Sequence, residues 1–154
     1  MQLTRFSDLA LRLLLYLASR DQPMDAVVTA RGAATLFNVP YTHMVKVVHQ
    51  LGLQGVITTS KGKGGGLRLS HPPESIRLGA VLRQTEPKAP IIDCFTQPCP
   101  LRFDCLLKGA LDRAYAEFLA EMDRYTLAEM ATMPTLRALV QIAPSAEMDA
   151  ESGA

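Results

Sequence analysis

The sequence predicts a mainly α fold with a small β-hairpin: a winged helix-turn-helix, a cysteine-rich loop, and a long helix suited to dimerisation. Three features carry that expectation. Apolar residues recur at helical spacing near the start of the chain. Two short helical segments separated by a tight turn lead into a glycine-rich hairpin, and beyond Cys105 an apolar seam advances in steps of three and four.

Taken in order, Phe6, Leu9, Ala10, Leu13, Leu14 and Leu17 share one helical face, so a mostly buried first helix begins near Thr4 or Ser7. Thr29 is the expected N-cap of a shorter second helix, with Ala30 to Phe37 its body and "NVP" its end, because the residue before a proline is driven from the α region. Pro40 suits the first position of a third helix, whose end is marked by Gly52 and Gly55. Met44, Val45, Val47, Val48 and Leu51 supply its apolar side, leaving Tyr41, Thr42, His43 and Lys46 facing away from the core.

"VITTS" and "LRLS" have the character of short strands flanking "KGKGGG". Such a hairpin is a weak signal alone, but directly after a helix-turn-helix it is a candidate wing. "HPPE" is a rigid break before a strand end and short helix over Ile76 to Thr85, and Pro87, Pro90, Pro98 and Pro100 deny regular structure to the segment leading up to Cys105. Leu107, Leu111, Ala114, Phe118, Met122 and Tyr125 then form the seam of a long amphipathic helix. "TLAE" at Thr126 to Glu129 is a capping box opening one more short helix. The expected organisation is a winged helix-turn-helix DNA-binding domain over 1–85, a cluster-binding loop over 86–105, dimerisation and C-terminal helices over 106–142, and a small, acidic, disordered tail over 143–154.

A hydrophobic share of 48% and a charged share of 20% are those of an ordinary soluble globule. The most apolar stretch, Leu9 to Ala18, is interrupted by Arg12 and is about half the length that crosses a bilayer. Asp8 and Arg12 also argue against a secretory signal, so the expectation is a cytoplasmic protein with no membrane partner. The net charge of +1 conceals an asymmetry: residues 1–86 hold ten Lys/Arg against five Asp/Glu, a net of +5, and residues 87–154 hold six against ten, a net of −4. No acidic residue occurs between Asp25 and Glu74, whereas Arg31, Lys46, Lys61, Lys63, Arg68 and all three histidines do. That segment is prepared for a polyanion.

A helix-turn-helix delivers the start of its second helix to base edges in the major groove. Tyr41, Thr42 and His43 are suitable donors or acceptors there, and Lys46 can reach phosphate or guanine. Lys61 and Lys63 lie on a loop whose glycines let backbone approach DNA closely, and Arg31 completes the DNA-binding set. The bland alternative is a small helical domain with a solvated basic surface. One head offers few phosphate contacts, so useful affinity needs two heads on one duplex, and a two-fold dimer would bind a pseudo-palindromic operator. The long helix is the natural dimerisation element, the alternative being a helix packed on its own domain.

All three cysteines fall in "DCFTQPCPLRFDC", spaced C-x4-C-x5-C as Cys94, Cys99 and Cys105. An odd count cannot close into intrachain disulfides, so ligands are the better reading. Structural zinc usually takes four ligands, often with a tighter knuckle, its sulfurs ~3.8 Å apart at ~2.3 Å bonds. The looser intervals here suit an iron-sulfur cluster. Zinc through the cysteines with His71 or an aspartate, a reversible redox switch, and three unliganded thiols stay open. Three thiolates leave one corner of a four-ligand site, for which Asp93 and Asp104 are local candidates. An oxygen ligand there is more easily displaced than sulfur, which suits a sensor. No nucleotide loop or catalytic constellation is present, so no enzyme is expected. An iron-sulfur electron carrier remains the alternative of a different class.

Together "MQLTRFSDLALRLLLYLA", "VPYTHMVKVVHQLGLQGVI", "KGKGGGLRLS" and "CFTQPCPLRFDCLLKGAL" resemble the NsrR-type nitric-oxide-sensing repressors, within the winged-helix family that also includes IscR. The resemblance runs over nearly all of residues 1–140. It implies a homodimer whose cluster is held by three cysteines of one chain, with a fourth ligand from the partner's first helix, where Asp8 matches. Without it, Asp8 is simply a first-turn acid favoured by the helix dipole. IscR places a histidine three residues after its third cysteine; Lys108 stands there and cannot ligate as an ammonium. The first interval is x4 rather than the x5 of some relatives. A 4Fe-4S cluster is expected, with 2Fe-2S the alternative. The implied function is repression that lifts when nitric oxide nitrosylates the cluster, the alternative being an IscR-like response to cluster supply.

Overall fold

In this computed structural model the structure describes residues 2–19, 27–88, 91–94, 96, 99–101 and 104–132. The tail expected over 143–154, and the last part of the expected C-terminal helix, lie outside the described residues.

Helix α1 (Arg5–Ser19) starts where Thr4 ends the extended lead-in: the Thr4 hydroxyl accepts from the Ser7 N–H at 3.1 Å. Its Leu9, Ala10, Leu13, Leu14 and Leu17 are buried, as the periodicity predicts. Thr29 caps α2 (Ala30–Leu36) through a 3.0 Å bond from the Gly32 N–H. Phe37 is the C-cap of that helix rather than part of its body, and Asn38, at φ 51°, turns the chain in the left-handed region.

Helix α3 (Tyr41–Leu53) differs from expectation in three details. Pro40 is the N-cap, one residue before the helix, with ψ 134°. The helix continues through Gly52 to Leu53. Val45, expected on the apolar side, is 39% exposed, while Met44, Val47, Val48 and Leu51 are buried.

Strands β1 (Ile57–Thr59) and β2 (Leu67–Leu69) pair antiparallel, with Ile57 opposite Leu69 and Thr59 opposite Leu67. A 3-10 turn, Pro73–Ser75, begins within "HPPE", and α4 (Leu78–Thr85) comes next. Helix α5 (Leu106–Met122) is followed by α6 (Leu127–Met130), which opens on the complete capping box of Thr126 and Glu129. Tyr125, expected in the long seam, lies beyond the end of α5.

One core unites these elements. Buried residues of α1, α2, α3, both strands and α4 pack together, and Leu127 of α6 joins them fully buried. The core therefore closes with a residue that follows α5, so the chain that leaves the head after α4 returns to it at the C-terminal end of α5. Among the described residues no helix is long and apolar enough to cross a membrane.

Candidate functional site

The exposed side of α3 is polar where it meets the turn. Tyr41, Thr42, His43, Lys46 and His49 are all exposed, and Val45 lies among them. Because Met44, Val47, Val48 and Leu51 anchor the opposite face in the core, these side chains are carried on a rigid element. The Arg31 guanidinium lies over the Tyr41 ring, 4.6 Å from its centroid. This cation–π contact joins the first turn of α2 to the first residue of α3 and holds the cation beside the exposed helix start.

Lys61 and Lys63 occupy the loop between β1 and β2 and are exposed. The hairpin does not stand alone: the Leu67 N–H donates to the Val28 carbonyl at 2.7 Å, making an antiparallel bridge that docks β2 on the segment entering α2. Gly66 permits this approach, since a Cβ there would run into the Val27 side chain and sit 2.7 Å from the Val28 oxygen. The hairpin lysines thus share a frame with the helix that carries Arg31.

Cys94 is buried, and Cys99 and Cys105 are half-buried; all three are free thiols. Cys105 is the N-cap of α5, its sulfur accepting from the Lys108 N–H at 3.3 Å. The Lys108 ammonium is hydrogen-bonded to the Asp112 carboxylate, which raises its pKa. Cys94 and Cys105 act on it in the same direction, so both lie within its field. Asp93 turns to Thr96 instead, accepting from its N–H at 3.0 Å. Among the described residues no three His, Cys, Asp or Glu side chains stand close enough together to hold a metal ion. Positions 95, 97–98 and 102–103, between the cysteines, lie outside the described residues. In donor type the three thiols of the loop fit a thiophilic centre.

Asp8 lies in the first turn of α1, about half exposed, and accepts from the Arg12 Nε at 2.9 Å. Its carboxylate faces outward, away from the core that α1 buries.

The profile of one family, described as iron-dependent transcriptional regulators, matches residues 3–133, from the lead-in of α1 to beyond α6. The chain belongs to the Rrf2 family. Membership makes it a transcription regulator and not an enzyme. This Rrf2 protein is similar to the HTH-type transcriptional regulator NsrR of Halalkalibacterium halodurans, 43% identical over 148 residues that cover 94% of this chain and all of that one. NsrR of Shouchella clausii is 41% identical over 145 residues, 92% of this chain and 96% of that one. The fold is that of CymR, the global cysteine regulator of B. subtilis, with a TM-score of 0.64 at 18% identity over 85% of this chain and 96% of that one. It is likewise that of T. potens IscR, with a TM-score of 0.65 at 16% identity over 98% of this chain and 94% of that one.

Two residues of this Rrf2 chain escape reasoning from sequence. Val45 is apolar and in register with the core stripe, so periodicity alone cannot separate it. Val28 pairs with Leu67 across the whole of α2 and α3, a contact no local spacing announces.

Proposed function

We propose that the chain is a dimeric DNA-binding transcriptional repressor that senses nitric oxide through an iron-sulfur cluster and leaves its operators when that cluster is attacked. The observation that carries this reading is the placement of Cys105 as N-cap of α5, which puts a thiol of the candidate sensor loop in hydrogen-bonded contact with the helix suited to dimerisation. Nitric oxide as the signal is what the resemblance to NsrR-type repressors implies, and the similarity to two NsrR proteins supports it.

In this reading Tyr41, Thr42, His43 and Lys46 meet base edges and phosphate in the major groove, and Arg31, Lys61 and Lys63 meet the backbone of double-stranded DNA. Residues 1–85 are the head, 86–105 the cluster loop, and 106–142 the segment through which two copies pair. Leu106 is 88% exposed and Leu107 62% exposed at the start of α5, an apolar end that a second copy would cover.

Cys94, Cys99 and Cys105 would hold the cluster, with Asp8 of the partner subunit as the fourth ligand. When bound, an iron-sulfur cluster, 4Fe-4S or alternatively 2Fe-2S, supplies iron that nitric oxide can attack. The chain's own residues do the rest. The Asp8 carboxylate, paired with Arg12 within its own chain, would serve the other chain's site and so tie the first helix of one head to the loop of the other. Cys105 holds the first turn of α5, so movement of its sulfur is felt by the helix. Lys108, ion-paired with Asp112, keeps its proton and offers no lone pair, which disfavours the IscR-like arrangement.

The test is titration of anaerobically purified protein with nitric oxide, following cluster absorbance and operator binding in the same sample. Loss of both together is expected; unchanged DNA binding as the absorbance bleaches would sink the sensor reading.

A further inference from the structure

Helix α5 is bolted to the head at its C-terminal end. At its C-terminal end Leu119 is buried, and Leu127, just beyond, is fully buried in the core. The Leu78 N–H donates to the Tyr125 carbonyl at 3.1 Å and the Leu127 N–H to the Ile76 carbonyl at 2.8 Å, splicing the entry to α4 onto the exit from α5. The Arg77 side chain reaches the Arg124 carbonyl across the same junction. At the other end, Leu106 and Leu107 are open to solvent.

Two residues decide how closely α5 crosses α4. Gly79 sits directly under it: a Cβ there would strike the Asp123 carboxylate and lie 2.5 Å from the Leu119 carbonyl oxygen, closer than packed atoms come. Asp123, the C-cap of α5, accepts from Arg83 through both guanidinium nitrogens, Nη1 at 2.8 Å. Arg83 stands in the last turn of α4, so this fork ties the end of α5 to that turn. The fork and the missing side chain together fix both separation and angle.

A lever held this way amplifies small rotations. At ~1.5 Å per residue α5 is about 25 Å long, and a tilt of about 10° at its fixed end moves the free end roughly 4 Å. That is comparable with one base-pair step, about 3.4 Å along the duplex.

We propose that Gly79 and Asp123 form a pin that sets the angle of α5 on the head and thereby the spacing of the two heads on DNA. The inference rests on the reading above, a dimer paired through α5 on one duplex. Neither residue touches DNA; both are positioning residues.

The experiment incubates the full chain, as wild type, Gly79→Ala and Asp123→Asn, with a pool of random-sequence duplexes and sequences the bound fraction. Wild type is expected to recover paired half-sites at one separation. Both variants should recover the same half-site at shifted or broadened separations, bind the wild-type optimum about tenfold or more weakly, and bind a single half-site as wild type does. Folded, dimeric variants that keep the wild-type separation and affinity overturn the pin. Asp123→Asn adds no atom beneath α5, so it decides the matter if Gly79→Ala does not fold. If wild type itself recovers no paired half-sites, the dimeric DNA-binding function falls and the pin falls with it; paired sites with unaltered spacing remove the pin alone.

Discussion

Asp8 shows how far one residue can be taken. From sequence it is a first-turn acid, and within one chain it does what such acids do, accepting from Arg12 on the next turn. An exposed i,i+4 pair contributes only about 0.3–0.5 kcal/mol, so the carboxylate is readily released to a stronger partner. Asp8→Ala should therefore leave folding almost unchanged while the cluster forms and then bleaches several times faster in air; a bleaching rate equal to wild type would remove Asp8 from the ligand set. Val45 makes the opposite case, since its apolar character and spacing place it in the core, yet it is exposed beside Thr42 and Lys46. Apolar groups in the major groove meet thymine methyls. If Val45 covers one, replacing that thymine by deoxyuridine should weaken wild type by about 0.8 kcal/mol, roughly fourfold, and leave Val45→Ala unaffected. A scan of single thymine replacements through the operator, measured with both proteins, checks it.

At the scale of elements, what is legible in the sequence is local. Thr29 and the box of Thr126 and Glu129 lie within three residues of the N–H groups they satisfy, so their caps can be named from spacing alone. The bonds that assemble the elements are not legible, because they join distant segments. Glu86 accepts from the Thr4 N–H at 2.9 Å and Asp123 accepts from Arg83 of α4, pairings that depend on how helices cross. Thr126→Ala should cost about 1 kcal/mol in urea denaturation. Leu127→Ala, which opens the core itself, should cost about 2–5 kcal/mol. The carboxylates of these junctions also set an acid limit. Arg83 holds the Asp123 carboxyl below the usual range through its hydrogen bonds, and the Thr126 N–H and hydroxyl do the same to Glu129. A carboxyl whose folded pKa is depressed contributes stability above its unfolded value, about 4, and loses it as pH falls through the folded value. Thermal stability should thus fall as pH drops below about 4, and Asp123→Asn combined with Glu129→Gln should flatten that fall.

For the whole molecule, the charge asymmetry between the basic first 86 residues and the acidic remainder becomes a countable prediction. Each phosphate neutralised by a cation adds about 0.9 to the slope of log affinity against log salt. Lys61 and Lys63 sit exposed on a hairpin fixed to the entry of α2 by the Val28 bridge, so as DNA ligands they would make a definite number of contacts. The count then depends on how many copies bind. Lys61→Gln should flatten the slope by about 0.9 if one head engages and by about 1.8 if two do. Lys61→Gln with Lys63→Gln should double whichever value is found. Fluorescence anisotropy on an operator duplex over a range of potassium chloride concentrations measures the slope directly. No change would return the hairpin lysines to an ordinary solvated surface, and the size of any change reports whether this Rrf2 chain reads DNA singly or as a pair.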